Sequence, residues 1–60
     1  MSIAPDYSRQ TAEPMTEQER MKWIRSAKKE ARAQGCTWIE AVWDNETGEI
    51  TVEGWETMPT

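Results

Sequence analysis

The residues best equipped for chemistry in this 60-residue chain are one cysteine, Cys36, and a set of carboxylates in the second half, among them Glu40 and Glu53. There is no histidine to activate the thiol. Cys36 follows Gly35 at the expected end of a helix, where the negative end of the helix dipole raises a thiol's pKa. Paired carboxylates such as Glu40 and Glu53 perform acid–base work only in a cleft that separates their pKa values. A single hairpin face offers none. A Gly-rich phosphate loop, a Ser-centred elbow and a metal-ligand cluster are all missing from the sequence. The expectation is a non-enzymatic protein with no cofactor and no metal.

Charge is distributed unevenly. The net charge is −4, but residues 16–35 hold six bases against three acids, whereas residues 36–60 hold Glu40, Asp44, Glu46, Glu49, Glu53 and Glu56 with no base. An acidic total disfavours nucleic acid as a partner. No apolar run reaches seven residues, so neither a membrane span nor a signal-peptide core is expected. Asp6 precedes the first base, Arg9, which argues against a targeting peptide, and the lone cysteine suits a reducing compartment. Cytoplasmic localisation is therefore the expectation.

The elements that would position these groups are legible. Thr16 and Glu19 have capping-box spacing with Pro14 upstream, and Gly35 supplies a left-handed stop, so a helix is predicted over about 17–34. With Met21 set at zero, Trp23, Ala27, Ala31 and Ile24 fall between about 200° and 300° and form the buried stripe. Lys22, Arg25, Lys28, Lys29 and Arg32 fall between about 340° and 100°, a basic arc open to solvent or to a phosphate backbone. Segments 36–43 and 49–55 are rich in β-branched and aromatic residues around the turn Asp44-Asn45-Glu46-Thr47-Gly48, which predicts a hairpin. A four-residue loop sets Trp43 opposite Ile50, Ala41 opposite Val52 and Ile39 opposite Gly54 on the face that meets the helix. A one-residue slip would bring Glu53 onto that face.

The second hairpin face would then carry Trp38 opposite Trp55, Glu40 opposite Glu53, and Val42 opposite Thr51. Aromatic residues rimmed by charge mark protein interfaces. The competing readings are a second copy of the hairpin or packing of residues 1–15, whose anchors would be Ile3 and Tyr7. Those fifteen residues contain Pro5 and Pro14 and no hydrophobic period, and read as a flexible N-terminal arm. The expected fold class is α+β: one amphipathic helix packed on one face of a two-stranded antiparallel β-hairpin, with arm 1–15 and domain 16–60.

The functional expectation that follows is a small acidic protein-interaction module, an inhibitor or adaptor acting on a larger protein. Its residues would be Trp38, Trp55, Glu40, Glu53 and Val42, and its acidic hairpin could occupy a nucleic-acid site on the partner. Small charged chains of this kind are frequent among phage and mobile-element products, an association of composition alone. Two alternatives stand beside it: a nucleic-acid-binding accessory using Lys22, Arg25, Lys28, Lys29 and Arg32, or a structural subunit of a small homo-oligomer such as a homodimer.

Overall fold

The computed structural model describes residues 4–58. Four elements follow one another: β1 (Tyr7–Thr11), α1 (Glu17–Ala33), β2 (Trp38–Trp43) and β3 (Ile50–Trp55). The strands form one antiparallel sheet in the order β1-β3-β2, with the helix on one side. Because β1 and β2 each run antiparallel to β3, they are parallel to one another, and β3 fills the gap between them. The α+β class holds, but the sheet has three strands rather than two.

The correction lies in the segment read as a flexible arm. Tyr7–Thr11 pairs with β3 along its length, from Tyr7 opposite Gly54 to Thr11 opposite Ile50. Its inner-face positions are Tyr7, Arg9 and Thr11, and only Tyr7 is buried and apolar. A strand held mainly by backbone bonds to a distant partner shows almost no hydrophobic alternation. Ile3, the other proposed anchor, lies outside the described residues.

Helix α1 starts as its cap residues require. The Thr16 N–H donates to Glu19 Oε1 at 2.9 Å, and the Glu19 N–H donates to Thr16 Oγ1 at 3.2 Å. The Thr16 N–H bond is the main reason the Glu19 carboxyl lies below its ordinary pKa, with the Thr16 side chain and the charge of Lys22 adding to it. At the other end Gln34 caps the helix and Gly35 turns the chain at φ 97°. Ala27 and Ala31 are fully buried, Trp23 and Ile24 half-buried.

The two alanines let the helix approach closely over β3, where Ile50 and Val52 are fully buried. The core cluster joins Tyr7, Ala27, Ala31, Cys36 and Val52. Burial pushes the Cys36 thiol pKa up, and the nearby Asp6 and Glu56 carboxylates push it further. Two arginines lie over tryptophan rings at the edge of the core. Arg9 stretches over the Trp23 ring at 5.5 Å and meets Glu30 at 3.1 Å, while the Arg20 guanidinium lies 4.7 Å from the Trp43 ring centre.

The hairpin register is the one that alternation selects. Trp43 pairs with Ile50, Ala41 with Val52 and Ile39 with Gly54, while Trp38, Glu40 and Val42 pair with Trp55, Glu53 and Thr51. The turn is closed by its own polar groups. Asp44 Oδ1 accepts from the Glu46 and Thr47 N–H groups at 2.9 and 3.4 Å. The Gly48 N–H donates to the Asp44 carbonyl at 2.8 Å, with Gly48 at φ 76°.

Candidate functional site: the open face of the sheet

Helix α1 covers one side of the sheet and leaves the other to a row of outward side chains. Alternation places Trp38, Glu40 and Val42 of β2 there, with Thr51, Glu53 and Trp55 of β3. Strand β1 extends the row with Ser8 beside Glu53 and Gln10 beside Thr51. These two residues were hidden in the sequence because their strand was: of its inner positions only Tyr7 is apolar, and one aromatic residue makes no alternation.

Trp38 and Trp55, expected opposite one another on this face, pair as expected but are unequal in exposure. Trp55 is buried at 8 % exposure, whereas Trp38 keeps 38 % and Val42 60 %. The face therefore offers one indole and one isopropyl group rather than two rings. Between them sits Glu40, exposed and directly opposite the half-buried Glu53. The Trp38 indole N–H points at Glu40 Oε1, 3.4 Å away, so the ring edge helps to fix one carboxylate. Like charges placed directly across a ladder repel, and among the described residues neither glutamate has a basic ion-pair partner.

The strand ends framing this face are tied by polar bonds. Asp6 Oδ2 accepts from the Glu56 N–H at 2.8 Å, and Thr37 Oγ1 donates to the Glu56 carbonyl at 2.7 Å. The platform under Trp38 is thus cross-linked from both neighbouring chain segments.

The basic arc of α1 occupies the outside of the helix. Lys22, Arg25, Lys29 and Arg32 are exposed there, while Lys28 is half-buried. A shallow depression on this surface is lined by Met21, Lys22 and Arg25 but also by Glu17 and Gln18. It is mixed in sign rather than a continuous cationic track. The two charged surfaces belong to different layers, so the chain is polarised across its thickness.

Among the described residues no group of three or more His, Cys, Asp or Glu side chains is arranged to hold a metal ion. None of the described helices is long and apolar enough to cross a membrane. Comparisons with protein-family profiles, with curated proteins and with solved structures find no match to this chain.

Proposed function

We propose that this protein is a small acidic, non-enzymatic protein-interaction module, an inhibitor or adaptor that presents its open sheet face to a basic surface on a larger protein. The observation that carries the reading is the exposure of Trp38 and Val42 around Glu40, across from Glu53, on a face the helix leaves uncovered. An aromatic anchor beside unneutralised carboxylates suits a partner that brings apolar side chains together with lysine or arginine. Residues at i and i+2 along a strand lie about 6.7 Å apart, so Trp38, Glu40 and Val42 make one continuous row. A groove that ordinarily receives a phosphate backbone has the charge to accept it, and occupation of such a groove would make the protein a competitive inhibitor.

The test is affinity isolation of the partner from the source cell, followed by titration with variants. Trp38→Ser and Glu40→Lys are expected each to weaken the purified complex by about tenfold or more while the helix signal in circular dichroism stays unchanged. Unaltered affinity in both variants would sink the assignment of this face.

A second reading draws on the exposure of Lys22, Arg25, Lys29 and Arg32 on the helix. As a nucleic-acid-binding accessory the protein would retard an oligonucleotide at low salt, with an affinity falling steeply as salt rises. Absence of a shift at low salt removes it.

A further inference from the structure

We infer that the partner docks as a fourth strand on the free edge of β2, as an extended basic segment pairing antiparallel with Ile39–Trp43. This rests on the interaction-module reading above and specifies how and with what the module binds.

The sheet order leaves β2 with one neighbour only. The Asp44 N–H donates to the Glu49 carbonyl at 2.9 Å, and backbone groups alternate in direction along a strand. Val42 and Glu40 therefore direct their N–H and C=O groups towards β3. Ile39, Ala41 and Trp43 direct theirs outward, and among the described residues they have no hydrogen-bond partner there.

The side chains leave this edge open as well. Glu40, Ala41 and Val42 are consecutive and all exposed, so the strand is uncovered on both faces at mid-length. On the helix side α1 lies over β3 and reaches β2 less, so small Ala41 leaves a notch between half-buried Ile39 and Trp43. The opposite edge is guarded. Strand β1 carries Arg9 pointing inward over Trp23, an inward charge of the kind that discourages pairing. Strand β2 has no proline, no lysine and no inward charge.

Charge selects the occupant. Residues 36–60 hold six acids and no base. A second copy joined through β2 would bring two such hairpins together, whereas a segment with lysine or arginine opposite Glu40 neutralises it. The edge then reads three consecutive partner positions: an aliphatic residue beside Val42, a large apolar residue filling the notch at Ala41, and a base at Glu40. Main-chain bonds supply affinity and alternate side chains supply specificity, as in other strand-addition complexes.

A blocked synthetic peptide containing Thr-Val-Leu-Lys-Val-Lys, which sets Leu opposite Ala41 and the first Lys opposite Glu40, tests this directly. It should bind and slow amide exchange at Ile39, Ala41 and Trp43. Methylating the amides of Thr, Leu and the second Val, which face β2, should cost about tenfold or more in affinity; methylating the alternate amides should cost little. Ala41→Pro should abolish binding without loss of fold, since that N–H makes no bond inside the sheet.

Equal binding of both methylated isomers overturns edge pairing yet leaves the face as the binding surface. Failure of the unmethylated peptide to bind overturns the edge proposal, and the face is then judged by its own partner titration. Glutamate in place of the peptide lysines should eliminate binding; retention overturns the basic occupant. A dimer in sedimentation that Ala41→Pro dissolves overturns it in favour of a second copy.

Discussion

Gly54 lies so close beneath Cys36 that a methyl group on its Cα would sit 2.9 Å from the Cys36 sulfur, with the Ala31 methyl at 3.3 Å. This contact sets the distance between the end of the helix and the sheet. Gly54→Ala should destabilise the fold by about 1–3 kcal/mol, because the crowding atoms belong to short, buried side chains with nowhere to rotate. Urea denaturation followed at the tryptophans measures it. Gly54→Ala combined with Cys36→Ala should recover part of the loss, since the sulfur is the nearest obstacle.

The Glu40–Glu53 pair should separate stability from binding. Glu40→Lys places opposite charges across the ladder and should raise stability by about 0.2–1 kcal/mol. The same change removes the carboxylate offered to a basic partner, so affinity should fall as the melting temperature rises. Thermal melts and partner titration on one preparation give both numbers.

Arg9 should matter more as a hydrocarbon stem than as a charge. Its ion pair with Glu30 is roughly half exposed on both sides, and such pairs contribute about 0–1 kcal/mol. Glu30→Gln should therefore change stability little. Arg9→Ala should cost more, through lost cover over Trp23. A comparison of the two at low and high salt checks this, because only the ionic part is screened.

The capping box makes the start of the helix sensitive to acid. Glu19 has its pKa lowered in the folded state, chiefly by the backbone bond at Thr16. Its contribution is present above the unfolded glutamate value and is lost as pH falls through the folded value. Helix content should decline in that window for the native chain, and Glu19→Gln should flatten the decline. Thr16→Ala should cost about 1 kcal/mol at neutral pH.

Most of what the sequence expressed came through side-chain pattern. The capping box, the stop at Gly35, the turn at Asp44–Gly48 and every β2–β3 pair follow from local spacing and from keeping Glu53 off the core face. Strand β1 left no such trace, because Arg9 and Thr11 occupy positions where apolar residues would advertise a strand. Its pairing resides in backbone groups that all residues share. The candidate face was readable as an alternation, since Trp38, Glu40 and Val42 had to share a side. The unequal burial of Trp38 and Trp55 was not, because exposure depends on what surrounds each ring. The stacking of Arg20 on Trp43 was likewise hidden, as it joins helix and sheet at a distance no periodicity encodes.

The insertion of β3 between β1 and β2 has a consequence for the order in which this chain can assemble. Helix and hairpin unite neighbours in sequence, but β1 must close a loop of roughly forty residues to reach β3. That closure costs entropy before any ladder bond returns it, so β1 should be the last strand to arrive and the first to leave. While it is away, β3 itself becomes an edge, with Ile50 and Val52 beside an open ladder. The bond from the Glu56 N–H to the Asp6 carboxylate and the bond from the Asp6 N–H to the Gly54 carbonyl lie at the end where β1 joins β3, and they add to the ladder that keeps the wrong strand from this edge.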